Sequence, residues 1–231
     1  SSWEPIARWI EASGTITWSL PFTPTVETVY EVTSRAIDHC GNIQIEPDTA
    51  MFTYDTTPPE SVVTTVGYFN TWMGAIEGTA SDAVSGVTHV LVKLQRSQDL
   101  FYYDGLSWVP AERWITATGT TTWTVPFTPT VEAVYTVTCR AADSCGNVQD
   151  IPGKGMFVYD ITPPSSPFNL AVEPSIWTPV NSFTVTWECL DDLSGIGAVH
   201  YKWNAAPVNN EDESPGSPVP MLGEVIRRIQ E

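Results

Sequence analysis

Positive charge is scarce in this sequence. Its 231 residues hold 10 Lys and Arg against 27 Asp and Glu, a formal net charge of −17 with three histidines neutral. Nucleic-acid binding rests on many Lys/Arg–phosphate contacts, and docking on an anionic membrane face needs a basic patch, so the balance argues against both. Long apolar runs are also missing. None approaches the ~18 residues of a membrane-spanning helix, and no signal peptide is read at Ser1. Cysteine is sparse, at four positions (Cys40, Cys139, Cys145, Cys189), and the spacings do not match zinc pairs such as Cys-x-x-Cys. His39, His89 and His200 are scattered, with no His-x-x-x-His and no serine nucleophile turn beside them. Paired carboxylates are able to hydrolyse glycosides, but every acidic pair here falls in a repeated turn, and a catalytic site is not expected twice in one short stretch. The sequence is therefore not expected to be an enzyme.

Apolar and aromatic residues are plentiful, at 42% and 11%, which is too apolar for a largely disordered chain. The dominant feature is an internal repeat. Trp3 to Pro59 aligns on Trp108 to Pro164 without a gap, at an offset of 105, with 36 of 57 positions identical. Pro21-Phe22-Thr23-Pro24-Thr25-Val26-Glu27 recurs as Pro126-Phe127-Thr128-Pro129-Thr130-Val131-Glu132. A weaker match links Asp82-Ala83-Val84-Ser85-Gly86-Val87 to Asp191-Asp192-Leu193-Ser194-Gly195-Ile196, each followed by a lysine, Lys93 or Lys202. The repeating unit thus begins after one Pro-Pro pair and ends at the next. Residues 1–59 are the C-terminal half of a unit, 60–164 a complete unit, and 165–207 the N-terminal half of a third. Residues 208–220 are loop-like by their Pro, Gly and charge content. In 221–231, Leu222, Val225, Ile226 and Ile229 have helical spacing, but eleven residues do not separate a helix from a strand.

The unit reads as all-β. Val134 to Cys139, Val87 to Gln95 and Thr120 to Val125 alternate apolar and polar residues rich in β-branched and aromatic types. Asp104-Gly105 is a hairpin signal, and Asp143-Ser144-Cys145-Gly146-Asn147 is a turn in which Asp and Asn bond their own backbone. Seven or eight short strands per unit predict a β-sandwich, and the chain as a whole predicts tandem sandwiches, one complete and two partial.

The pattern Tyr135-x-Val137-x-x-Arg140-Ala141-x-Asp143-x-x-Gly146-Asn147, then Tyr159-Asp160-x-Thr162-Pro163-Pro164, then Asp191-x-x-Ser194-Gly195-Ile196, resembles bacterial immunoglobulin-like repeats, which are similar in shape to fibronectin type III sandwiches. The resemblance covers residues 1 to about 207. It implies a module strung in large secreted or cell-surface proteins, and it makes Tyr30 and Tyr135 the tyrosine-corner residues. A stiff Thr-Pro-Pro spacer between units would make a semi-rigid rod, each sandwich adding roughly 40 Å. The expected role is a stalk, adhesin or filament component at the cell surface or outside it. Partners would be neighbouring units of the same or another copy, or surface glycans or proteins. The alternatives are a carbohydrate-binding module and a spacer of a secreted enzyme.

Three sets of residues are candidates for function. Asp55, Asp82, Asp160 and Asp191 fall in turns or beside the Pro-Pro links, where hard oxygens would suit Ca²⁺; the competing reading is that each Asp caps its own turn. Asp38 and Asp143 sit in the equivalent Asp-x-x-Gly-Asn turns. Cys139 and Cys145 are placed to bridge a hairpin in an oxidising compartment, free thiols being the default. Among the tryptophans, Trp9/Trp114 and Trp18/Trp123 recur, which predicts core packing, whereas Trp3/Trp108 and Trp72 are candidates for exposed rings that stack on sugars. Finally, a half sandwich leaves an apolar face and a strand edge open. Truncation or misplaced boundaries would explain this, and so would head-to-tail pairing of one copy's N-terminal half with another's C-terminal half.

Overall fold

The computed structural model describes residues 9–176, 178–179 and 182–200. The expectations for 208–231, including the choice of helix or strand at 221–231, lie outside the described residues, as do Trp3 and Lys202. No helix occurs among the described residues. The strands in order are β1 (Ser13–Gly14), β2 (Trp18–Ser19), β3 (Thr28–Ser34), β4 (Asp48–Tyr54), β5 (Glu60–Val63), β6 (Gly67–Phe69), β7 (Ala75–Ser81), β8 (Val87–Arg96), β9 (Tyr102–Tyr103), β10 (Trp108–Val109), β11 (Ile115–Thr116), β12 (Thr122–Pro126), β13 (Ala133–Asp143), β14 (Gly153–Tyr159), β15 (Phe168–Glu173) and β16 (Thr184–Glu188).

Residues 60–164 form two sheets around one core. The larger runs β10-β9-β8-β13-β14-β6, with β11 also on β8; the smaller runs β12-β7-β5. All pairings are antiparallel except β6 on β14. Residues 60–164 hold ten strands, more than the seven or eight expected, because β9, β10 and β11 are two-residue pieces that period-2 patterning does not resolve. Alternation places Val90, Val92 and Leu94 of β8 and Tyr135, Val137, Cys139 and Ala141 of β13 inward, opposite Val63, Ile76, Trp123 and Val125 of the small sheet. Burying each large side chain stabilises the fold by about 1.5–3 kcal/mol.

One end of this core is aromatic. Tyr135 stacks on Phe157 at 4.9 Å and 15°, and Phe127 meets Tyr135 edge-on at 5.6 Å and 67°. Trp72 lies 4.7 Å from Phe157, and its Nε1 donates to the Phe127 carbonyl at 2.6 Å. Trp108 packs on Phe127 and Tyr135. Trp72 and Trp108 are therefore core-edge rings and not free sugar platforms. The burial of their ring faces by Phe157, Phe127 and Tyr135 is a long-range effect that their loop-like neighbours in sequence conceal. The reverse correction holds for Trp114. Trp123 is buried as expected, but Trp114 is half-buried on the outer face of the large sheet, beside Lys93.

Either side of residues 60–164 lie separate hairpins, β1–β2, β3–β4 and β15–β16, each a two-stranded sheet. Residues 9–54 reproduce the local geometry of their repeat partners. Tyr30 stacks on Phe52 at 5.1 Å and 14°, and Phe22 meets Tyr30 at 5.3 Å and 67°. Tyr30 and Tyr135 each donate a hydroxyl hydrogen bond of 2.6 Å to the carbonyl four residues upstream, Val26 or Val131, as the resemblance implied. Burial differs, however: Trp18 is 49% exposed against 0% for Trp123, and Phe52 is 40% exposed against 0% for Phe157. At the other end Leu170 and Val172 of β15 are exposed as well.

Candidate functional site

The residues on either side of the Thr-Pro-Pro links converge. Asp55, just before the link, is buried; Oδ1 accepts the Thr57 N–H and Oδ2 accepts the Ser85 N–H, both at 3.0 Å. Ser85 belongs to the Asp82-x-x-Ser-Gly turn, which is held by Asp82 itself: Oδ1 accepts from the backbone N–H groups of Val84, Ser85 and Gly86 at 3.1, 2.9 and 2.7 Å. Gly86 takes φ +77°, a left-handed conformation that suits glycine here. Asp143, also buried, closes the neighbouring turn by accepting the Asn147 N–H at 2.8 Å and the Asn147 side-chain N–H at 2.7 Å. Asn147 reaches on to the Asp55 carbonyl at 3.1 Å. Two turns and a strand exit are thus tied together across the link.

The second junction repeats the first. Asp160 Oδ1 accepts the Thr162 N–H at 3.0 Å and Oδ2 accepts the Ser194 N–H at 3.1 Å. Asp191 Oδ1 accepts the N–H groups of Leu193, Ser194 and Gly195 at 3.2, 2.8 and 2.7 Å. Glutamates reinforce both links. Glu27 accepts from Thr56 and, at 2.6 Å, from the Thr57 hydroxyl; Glu132 accepts from the Ile161 N–H at 2.8 Å and the Thr162 hydroxyl at 2.9 Å. A hydrogen bond donated to the ionised form of a carboxyl favours that form. The Thr56 hydroxyl holds Glu27 below its ordinary value, and the Gly195 N–H does the same for Asp191. Burial pushes Asp143 up, yet the bonds from Asn147 outweigh it and leave the carboxyl below its ordinary value.

Of the four expected cation ligands, Asp55 and Asp82 meet at the first junction and Asp160 and Asp191 contribute to the second. Asp143 completes the first group: carboxylate oxygens of Asp55, Asp82 and Asp143 lie within 4.8 Å of one another. Such a group offers hard oxygens of the kind Ca²⁺ takes, while most of the same oxygens already accept N–H bonds. That Asp143 lies with Asp55 and Asp82 is not readable from its turn motif alone, because the motif looks the same whether the turn faces solvent or another segment.

Cys139 and Cys145 are not joined in this structure. Cys139 is buried in the core, 3.2 Å from the Ser61 hydroxyl, and burial pushes its thiol up; Cys145 is exposed at the turn. The side-chain alternation of β13 sends Cys139 inward, away from the turn. All four cysteines are free thiols.

A second concave feature lies on the outer face of the large sheet, where Lys93, Arg140, Lys154, Trp114 and Tyr102 gather. No family model matches this chain, and no curated protein is similar to it. No helix among the described residues is long and apolar enough to cross a membrane.

Proposed function

We propose that the chain is a piece of a tandem immunoglobulin-like array that serves as a semi-rigid spacer or adhesive stalk outside the cell, with a structural and not a catalytic role. The observation that carries this reading is the duplicated junction. Asp55–Ser85–Asp82 and Asp160–Ser194–Asp191 make the same hydrogen bonds across equivalent Thr-Pro-Pro links. A linker meant to swivel needs no such fixed contacts, whereas a spacer of set direction does. Residual dipolar couplings measured on the whole chain test it: one alignment tensor fitting residues on both sides of each link supports the spacer, and separate tensors refute it. The calcium expectation attaches to the Asp55–Asp82–Asp143 group. A melt with and without chelator decides it, a shift favouring the ion and no shift removing it.

A second reading rests on the open aromatic face. Trp18 and Phe52 are 49% and 40% exposed, where their repeat partners Trp123 and Phe157 are fully buried. The β15–β16 hairpin has the antiparallel form of β5–β7 and exposes Leu170 and Val172. The occupant of the face is then this hairpin from a second copy, giving head-to-tail assembly. Sedimentation of the 231-residue chain reads it directly: concentration-dependent polymers support the closure, and monomers throughout overturn it.

A further inference from the structure

The outer face of the large sheet collects cations in a chain that has few. Lys93, Arg140 and Lys154, three of only 10 basic residues, line one concavity of about 500 Å³ together with Gln95, Thr136, Thr138, Tyr102 and Trp114. Strand register builds it. Lys93 of β8 and Lys154 of β14 both pair with Thr138 of β13, so two ammonium groups flank one threonine. Arg140 lies two residues along the same face of β13. Gln95 pairs with both Tyr102 and Thr136 and extends the polar floor. Trp114 forms one wall: Lys93 Nζ sits 4.9 Å and the Arg140 guanidinium 5.9 Å from its ring. Glu112, the one acid in the lining, is already engaged by Lys93 at 3.1 Å and by Trp114 Nε1 at 2.9 Å. Among the described residues Arg140 Nε is buried without a hydrogen-bond partner, and neither Arg140 nor Lys154 has an ion pair. A donor buried without an acceptor is costly and is expected to meet one when the site is occupied.

We infer that this concavity binds a carboxylated saccharide. Its chemistry fits in three ways. Arg140 and Lys154, with no ion pair among the described residues, supply positive charge for a uronate carboxylate. Thr136, Thr138 and Gln95 offer donors and acceptors for sugar hydroxyls. Trp114 and Tyr102 present ring faces of the kind that pack on a pyranose. An acidic peptide would use the cations but leave the aromatic wall and the hydroxyl floor with less to do. The site also differs from Trp72 and Trp108, the residues whose sequence context suggested sugar stacking, and lies on the opposite side of the sheet from the core they enter.

Titration calorimetry of the whole chain, in buffer containing chelator, tests the assignment with tetragalacturonate, cellotetraose and a tetraglutamate peptide. Tetragalacturonate is expected to bind while cellotetraose does not. Lys154→Glu and Arg140→Gln should each weaken binding by about tenfold or more, the loss of one charge-assisted hydrogen bond. Trp114→Ala should weaken it too. Lys154 is exposed and has no ion pair among the described residues, so Lys154→Glu keeps the fold and isolates the site from stability. No binding of tetragalacturonate, equal binding of cellotetraose, binding unchanged in Lys154→Glu, or preferential binding of tetraglutamate would each overturn the proposal.

Discussion

Replacing Asp55 by Ala removes the acceptor that crosses the first link. Two charge-assisted hydrogen bonds disappear, from Thr57 N–H and Ser85 N–H. Taken at face value, each is worth about 1.5–3 kcal/mol. The structure lowers that sum. Thr57 is exposed, so water replaces its bond, and the Ser85 N–H still has Asp82 Oδ1 at 2.9 Å. Removing one of three clustered carboxylates also relieves repulsion within the group. The net loss is then about 1–2 kcal/mol, which raises the open fraction of the junction roughly five- to thirtyfold. Because the core of residues 60–164 is untouched, the effect is local. Amide hydrogen exchange reads it residue by residue: Ser85 and Gly86 should exchange roughly five- to thirtyfold faster, while Val92 and Val137 stay unchanged. Asp55→Asn, which keeps one oxygen, should fall between. If Ser85 exchanges at the wild-type rate in Asp55→Ala, the latch contributes nothing and the fixed-direction spacer loses its main support.

Other outcomes follow from single contacts. A Cβ at Gly78 would lie 2.0 Å from Trp123 Cζ2 and 2.2 Å from the Val62 carbonyl oxygen, so Gly78→Ala must displace the buried indole and its bond to Thr79. It is expected to cost about 3 kcal/mol and lower Tm by roughly 10 °C or more in a thermal melt, whereas Gly197→Ala, with nothing within 4 Å, stays near wild type. Thiol labelling of the native chain should modify exposed Cys40 and Cys145 first and buried Cys139 only on unfolding; equal rates for Cys139 and Cys145 would contradict the placement. Asp143 has a depressed carboxyl, so its share of stability is complete above the unfolded value of about 3.9 and is lost as pH falls through the lower folded value. Between pH 5 and pH 2, Asp143→Asn should therefore lose less Tm than wild type, and an equal or greater loss would reverse the sign.

The fold class was legible because two signals agreed: period-2 alternation at Val87–Gln95 and Val134–Cys139, and turn chemistry at Asp104-Gly105 and Asp143 to Asn147. The strands β8 and β13 lie where alternation put them, though β13 runs on to Asp143. What escaped the sequence were choices made by tertiary packing. A tryptophan carries no mark that says which face it joins, so Trp72 and Trp114 exchanged their expected places. Asp55 and Asp82 were readable as junction residues through the repeat, but that Asp143 joins them depends on two turns meeting in space, 61 residues apart in the chain. The cationic concavity was invisible for the same reason: Lys93, Arg140 and Lys154 become neighbours only through strand register.

The latch has one more consequence. It is directional, with an acceptor at the exit of each module and a matching turn at the entrance of the next. Asp55 and Asp160 therefore offer the same acceptor to the Ser85 and Ser194 turns. In the proposed array, a copy added or removed at a diproline boundary would keep the same Asp–Ser–Asp seam, so reach would change in whole steps while each building block stayed unaltered.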